Sequence, residues 1–134
     1  MLSLISFFAV MSVLVIVHEF GHFIIAKKTG VRVEKFSLGF GPEIFGLTKG
    51  ETRYSFSIIL FGGYVKLSGE SETKESKIEH WDYVAKSVGE RARIIFAGPL
   101  LNYIFAFFVF SFVFIIGSPT LTARVGGVLP EYPA

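Results

Sequence analysis

A short block of ionisable residues stands inside the first apolar run of the chain. It has the H-E-x-x-H pattern, with Phe20 and Gly21 between its members His18, Glu19 and His22. On a helix, residues four apart share one face about one turn apart, so both imidazoles can reach a single metal ion. Neutral imidazole suits zinc, and Glu19 is placed to act as a general base on zinc-bound water, whose pKa falls to about 7. The pattern predicts a zinc hydrolase with His18 and His22 as ligands.

Other interpretations of this block stay open at this point. A charged side chain at the middle of a spanning helix costs roughly 2.5–3.5 kcal/mol on insertion scales, so three ionisable residues there need a reason. A proton relay or ion site in a transporter is one such reason. A partly hydrated position at the end of the span, beside Lys27, is another. A non-catalytic membrane adaptor is the third alternative, and an Asp-Gly pair in a later apolar span would favour the hydrolase.

Two apolar runs are the elements that must position these residues. Of the 134 residues, 51% are hydrophobic and 16 are Phe, a composition that suits lipid better than water. Residues 1–26 and 94–117 are each long enough to form a transmembrane helix. Pro99 is expected near the start of the second helix, where proline costs least. A signal peptide is the alternative for the first run, but no basic residue precedes Lys27 and no small-residue cleavage site follows.

The distribution of charge predicts an orientation. All of the 13 Lys and Arg residues except Arg124 lie between the two runs. The positive-inside rule therefore places residues 27–93 in the cytoplasm and both termini on the opposite side. The chain has no cysteine, which excludes disulfides and thiolate sites within it. The net charge of +2, without a basic stripe, argues against nucleic-acid binding and leaves membrane lipid as the expected surroundings.

The segment between the runs alternates apolar and polar residues in short stretches typical of strands, around 31–40 and 54–67. Turns are predicted at its glycines: Gly39, Gly41 and the pair Gly62-Gly63. Residues 68–77 are predicted as a solvated loop and residues 81–93 as a short interfacial helix. The predicted fold is an α-helical membrane protein with a small membrane-associated β-sheet, in which two transmembrane helices flank a cytoplasmic β-rich segment.

The donor set of a catalytic zinc site is incomplete in this sequence. Such a site requires a third protein ligand. His80 and Asp82 are the candidates besides the glutamates, and neither has a supporting context, so we expect the third ligand outside these residues. Asn102, one turn into the second run, is expected either to bond a neighbouring helix or to hold substrate backbone near the zinc.

Four motifs together resemble the site-2 protease family of intramembrane zinc metalloproteases, in the bacterial branch that includes the regulators of sigma-E. They cover nearly the whole chain: His18-Glu19-Phe20-Gly21-His22, Phe36-Ser37-Leu38-Gly39-Phe40-Gly41-Pro42, Phe61-Gly62-Gly63-Tyr64-Val65-Lys66 and Ala97-Gly98-Pro99-Leu100-Leu101-Asn102.

The resemblance implies roles for these residues. His18 and His22 would bind Zn²⁺ with Glu19 as the catalytic acid and base, and Asn102 would handle substrate. The segment that contains Gly62, Gly63 and Tyr64 would be a membrane re-entrant β-element. Residues 54–67 offer an edge to which an extended substrate can add as a strand. The family's third ligand is an aspartate followed by glycine on a later helix, which Asp82, followed by Tyr83, does not match.

The resemblance also implies partners and a location. The family cleaves transmembrane segments of membrane-anchored regulators, here of the anti-sigma-factor type in the bacterial inner membrane, and screens substrates with PDZ domains. Residues 118–134 resemble the start of a truncated PDZ domain. The chain is therefore expected to be an N-terminal half-site that is inactive without the C-terminal half of the same protease.

Overall fold

A computed structural model of the chain describes residues 2–70 and 77–117. Its elements in chain order are α1 (Leu2–Lys28), β1 (Val33–Lys49), β2 (Thr52–Leu67), a single 3-10 turn (Tyr83–Ala85) and α2 (Val88–Ile116). The long apolar helices and the small sheet predicted from the sequence are both present. The predicted start of a PDZ domain, 118–134, lies outside the described residues.

Both helices are long and apolar enough to cross a bilayer. Their large side chains point outward over most of their length, with Phe107 68% exposed on α2 and Leu4 60% exposed on α1. Lys27 and Lys28 end α1, and Gly30 follows with a φ of 71°, a left-handed conformation that glycine adopts without strain. The apolar helix surfaces therefore require lipid or further protein around them.

The second helix begins earlier than the apolar run suggests. A capping box starts it, in which Ser87 Oγ accepts from the Glu90 amide at 3.3 Å and the Glu90 carboxylate accepts from the Ser87 amide at 2.9 Å. The separate interfacial helix predicted over residues 81–93 is consequently absent, because only the 3-10 turn precedes α2 and residues 88–93 are the first turns of α2 itself.

The expectation that Pro99 lies near the start of the second helix is wrong. Because α2 begins at Val88, Pro99 lies in its interior. Proline has no amide hydrogen, so the carbonyl of Ile95, four residues earlier, loses its helical donor. The proline therefore weakens the backbone ladder of α2 close to its contact with α1.

The sheet consists of two long antiparallel strands rather than several short ones. Gly39 and Gly41 do not end β1, but their φ values of 93° and 83° coincide with shifts in its register. Residues 35–38 pair both with residues 53–56 and with residues 63–66. The first part of β1 therefore lies between two parts of β2, and the sheet curls.

This curl decides which part of β2 forms an edge. Residues 53–56 pair with residues 35–38 on one side and with residues 45–48 on the other. Residues 63–67 pair only with the start of β1 within the described part of the chain. The edge expected over residues 54–67 therefore does not include residues 54–56, because this beginning of β2 is enclosed on both sides.

A small core joins the end of α1, the ends of the sheet and the start of α2. Its fully buried members are Ala26, Val31, Val33, Leu67 and Ile94. Main-chain bonds add to it, from the Arg32 amide to the Trp81 carbonyl at 3.0 Å and from the Tyr83 amide to the Ser68 carbonyl at 2.8 Å. This core fixes both helices relative to the sheet beside the H-E-x-x-H block.

Candidate metal centre

His18 and His22 lie on one face of α1 with their rings 4.7 Å apart and nearly perpendicular. Both rings point at Gly98 of α2. A methyl group built on Gly98 would lie 2.5 Å from His22 Nε2 and 2.7 Å from His18 Nε2. The two nitrogens therefore converge on one point, and the absence of a Cβ at Gly98 leaves the gap that lets both rings come this close to α2.

A close contact between the helices brings this glycine to the histidines. A Cβ on Gly21 would overlap the main-chain carbonyl oxygen of Ala97. Small residues at such a crossing let two helix backbones approach closely. Gly21 precedes His22 and Ala97 precedes Gly98, so the tight crossing and the histidine pair occupy the same level of the two helices.

A main-chain carbonyl sets the tautomer of His22. Its Nδ1 lies 2.7 Å from the carbonyl oxygen of Ile94. A carbonyl only accepts, so Nδ1 carries the hydrogen and Nε2 presents its lone pair toward Gly98. Metal-binding histidines characteristically donate their other ring N–H to such an acceptor. His22 is therefore prepared to bind a metal ion through Nε2.

Glu19 shares a cavity with His22 beside the edge of the sheet. A Cβ on Gly63 would lie 3.6 Å from Glu19 Cγ, and the amide of Val65 interacts with the Glu19 carboxylate. The cavity has a volume of about 240 Å³. Its lining also includes Leu67, Glu70, Tyr83, Ile94 and Ile95. A carboxylate, an imidazole and the end of β2 at Val65 and Leu67 thus face one space.

The structure separates the other residues predicted to contact substrate. Gly62 and Tyr64 lie on the opposite face of β2 from Gly63, as alternation along a strand requires. A Cβ on Gly62 would overlap the ring of Phe40, and the Tyr64 ring stacks on Phe40 at 6.3 Å between centroids. Of the three, only Gly63 adjoins Glu19.

Asn102 adjoins the histidine pair rather than the sheet. Its Nδ2 lies 3.5 Å from His18 Nδ1, at the outer limit of a hydrogen bond. Its Oδ1 is buried without a hydrogen-bond partner among the described residues. The neighbouring-helix bond expected for this asparagine therefore involves a histidine of the block.

The candidates for a third ligand inside the chain are engaged elsewhere. The two oxygens of Asp82 accept from Ser68 Oγ and from the Glu79 amide, each at 2.7 Å. The ring of His80 packs on Trp81 with centroids 4.5 Å apart. No group of three or more metal-binding side chains occurs within residues 2–70 and 77–117. The described residues thus supply two imidazole donors of the type that zinc binds, one fewer than the three protein ligands of a catalytic zinc site.

Sequence reasoning identified Asn102 but missed Ile94 and Gly98, the other groups on α2 that face these imidazoles. Ile94, Gly98 and Asn102 are four residues apart and so share one face of the helix. That spacing is readable in the sequence, but nothing local indicates that the Ile94 carbonyl or the bare Gly98 backbone faces a histidine. Val65 and Glu70 were missed as well, because strand alternation places residues on a face without saying what that face contacts.

Comparisons with known proteins cover most of the chain. The model of peptidase family M50 matches residues 6–131. Regulator of sigma-E protease RseP of Escherichia coli (strain K12) is 47% identical over 128 residues, which are 94% of this chain and 28% of that protein. The regulator of sigma E protease of Salmonella typhi is 43% identical over 131 residues, 96% of this chain and 29% of that protein.

A further relative, from Vibrio cholerae serotype O1, is named as a candidate zinc metalloprotease and is 41% identical over 130 residues, again 96% of this chain and 29% of the relative. The chain therefore spans less than a third of the length of these three relatives. The match covers both helices and the sheet between them, and it confirms the resemblance to site-2 proteases. The chain belongs to peptidase family M50.

Proposed function

We propose that the protein is a membrane zinc metallopeptidase that hydrolyses peptide bonds within transmembrane segments of membrane-anchored regulators. This chain would carry the N-terminal half of its active site and be inactive alone. The observation that carries the proposal is the convergence of His18 Nε2 and His22 Nε2 on the gap at Gly98, with Glu19 in the adjoining cavity.

In this function His18 and His22 hold the metal ion through Nε2. Zinc bound there supplies a Lewis acid and lowers the pKa of its water. Glu19 accepts the proton of the attacking water and then delivers it to the amine nitrogen of the leaving peptide. The third ligand would be an aspartate on a later helix, as the resemblance to the family implies, and within this chain Asp82 already accepts from Ser68 and Glu79.

The edge of β2 at residues 63–67 is the proposed substrate platform. A transmembrane helix must unwind before hydrolysis, because its peptide carbonyls are hydrogen-bonded within the helix. An extended peptide added to this edge would gain main-chain hydrogen bonds and run past Glu19. Gly63 lets the strand lie close to that carboxylate. Gly62, Tyr64 and Asn102 belong to the proposed substrate-binding region through the same strand and the facing helix.

The placement in the bacterial inner membrane is also part of the proposal. Both helices would span it, with residues 27–93 on the cytoplasmic side and residues 1 and 118–134 on the other. Phe61 of β2 packs on Phe8 with centroids 4.5 Å apart, and Phe8 lies about 30 Å along α1 from Lys28 at about 1.5 Å per residue. The sheet therefore contacts α1 far from its cytoplasmic end. This contact, together with the exposed Phe45 and Phe61, supports a sheet that re-enters the membrane.

Partners follow from the relatives' names and from the expected domain order. Two relatives are named as regulators of sigma-E, which supports substrates of the anti-sigma-factor type. We assign residues 118–134 to the beginning of a PDZ domain that screens substrates. The C-terminal half of the same protease completes the site with its aspartate and further helices.

Variants of the full-length protein test the assignment. Substituting alanine for both His18 and His22 is expected to remove zinc and cleavage together. Glu19→Gln is expected to retain zinc and stop hydrolysis, because an amide cannot accept the water's proton. Metal analysis and cleavage of a purified transmembrane substrate measure the two effects. A full zinc equivalent in the double-histidine variant would refute the metal site, and substantial cleavage by Glu19→Gln would refute the assigned base.

A further inference from the structure

The two histidines of α1 face a row of three groups on α2. Ile94 presents its main-chain carbonyl to His22 at 2.7 Å, Gly98 leaves the gap between the rings, and Asn102 lies 3.5 Å from His18. At intervals of four residues the three share one face of α2. The first group of the row sets the tautomer of His22, and the third occupies the equivalent position beside His18.

The orientation of the Asn102 amide decides what it does to His18. With Nδ2 toward His18, the asparagine would donate to Nδ1, and the ring hydrogen of neutral His18 would be on Nε2. That hydrogen would point at the gap where His22 Nε2 presents a lone pair, and His18 could not bind a metal ion through this atom. In the same orientation Asn102 Oδ1 is buried without a partner within the described chain.

Turning the amide by half a rotation removes the first conflict and replaces the unpartnered acceptor by an unpartnered donor. The oxygen and nitrogen of an asparagine amide have nearly the same shape, and only the hydrogen-bond network distinguishes them. After the exchange Oδ1 accepts from His18 Nδ1–H, and both Nε2 atoms present lone pairs to the gap at Gly98. The unpartnered atom is then the donor Nδ2, which has the polarity that a peptide carbonyl of a substrate requires.

We propose that Asn102 is a positioning residue that accepts a hydrogen bond from His18 Nδ1–H and so directs the lone pair of His18 Nε2 to the metal position. The role goes beyond the substrate handling expected from the sequence, because it acts through a ligand. It rests on the proposed function in that His18 is taken as a metal ligand. Removing such a partner of a metal-binding histidine typically weakens metal affinity about 10–100-fold.

Two variants of the full-length protein distinguish loss of the hydrogen-bond acceptor at position 102 from a change in packing. Asn102→Leu keeps the number and branching of the side-chain heavy atoms but cannot accept, and Asn102→Asp accepts but cannot donate. Leu101→Ala, at the neighbouring position of α2, controls for loss of helix packing. Co²⁺ titration followed by visible absorption gives the affinity. The tautomer of His18 is measured by NMR on metal-free protein with ¹⁵N-labelled histidine, from the chemical shifts of the ring nitrogens at a pH above the imidazole pKa. The His18 signal is identified as the one that disappears in His18→Ala.

We expect wild type, Asn102→Asp and Leu101→Ala to hold the Nδ1–H tautomer and bind Co²⁺ with similar affinity. Asn102→Leu should lose that tautomer and bind about 10–100-fold more weakly. An Nε2–H tautomer in wild type, an unchanged Asn102→Leu, or an Asn102→Asp as weak as Asn102→Leu would each overturn the role. If the tautomer changes in Asn102→Leu but wild type does not bind Co²⁺, the hydrogen bond is supported and the metal site is refuted.

Discussion

Gly21 of α1 lies directly against the main-chain carbonyl of Ala97 on α2, so closely that a Cβ on the glycine would overlap the carbonyl oxygen. The contact determines how near the two helices come at the level of the histidines. Backbone atoms form one side of it, so no side-chain movement can make room. The width of the gap at Gly98 therefore depends on a glycine on the opposite helix.

Substitution of Gly21 by alanine is expected to push the helices apart. Overpacking of this kind costs about 1–3 kcal/mol, and the separation should also weaken metal binding. Gly89→Ala on α2 is the control, because nothing lies within 4 Å of a Cβ at Gly89. Denaturant unfolding in detergent and metal titration of the full-length protein measure both effects. Equal stability of the two variants would contradict the tight crossing.

Substitution of Gly98 by alanine is expected to block the metal position itself. The new methyl group would lie 2.5 Å and 2.7 Å from the two Nε2 atoms. The loss of metal affinity should be at least as large as the roughly 10–100-fold loss that follows removal of a hydrogen-bond partner of a metal ligand. Alanine favours a helix over glycine by about 1 kcal/mol, so α2 should not be weakened. Wild-type metal content in Gly98→Ala, with Gly89→Ala again as control, would place the metal elsewhere.

The proposed topology predicts which side of the membrane each segment faces. These 134 residues contain no cysteine, so a single cysteine introduced at one position is the only thiol within them, and its labelling reports on that position. Lys77→Cys should react with an impermeant reagent only when the cytoplasmic side is open, and Thr120→Cys only from the opposite side. The reverse labelling pattern would invert the orientation and move the sheet to the other compartment.

The junction between β2 and the start of α2 contains the buried carboxylate of Asp82, and we expect acid to lower its stability. The Glu79 amide and then the Ser68 hydroxyl lower the pKa of Asp82 below its usual value. Its contribution to stability is therefore complete above about pH 4, where the unfolded carboxyl ionises. It should be lost as the pH falls through the lower folded pKa. Asp82→Asn should be less stable than wild type at neutral pH, and this difference should vanish in acid.

Unfolding midpoints of wild type, Asp82→Asn and the control Glu79→Gln across this pH range check the assignment. Glu79→Gln keeps the amide that bonds Asp82, so its acid dependence should follow wild type. A difference between wild type and Asp82→Asn that persists at the lowest pH would show that the carboxylate charge is not the cause.

Some features follow from the sequence because their signals are local. The H-E-x-x-H spacing places two imidazoles on one helix face wherever that helix lies. The two apolar runs indicate long membrane helices by length and composition alone. The start of α2 also has a local signal, since Ser87 and Glu90 form a capping-box pattern seven residues before the apolar run begins at Ile94.

Other features depend on contacts between distant parts of the chain. Ile94 and Asn102 meet His22 and His18 across 72 and 84 residues, and the beginning of β2 is enclosed by two distant parts of β1. Local pattern indicates which residues share a face, but not what that face meets, because the packing of the whole chain decides it. The sequence alone therefore determined the chemical groups of the candidate site, whereas the crossing of α1 and α2 decided that both imidazoles face Gly98.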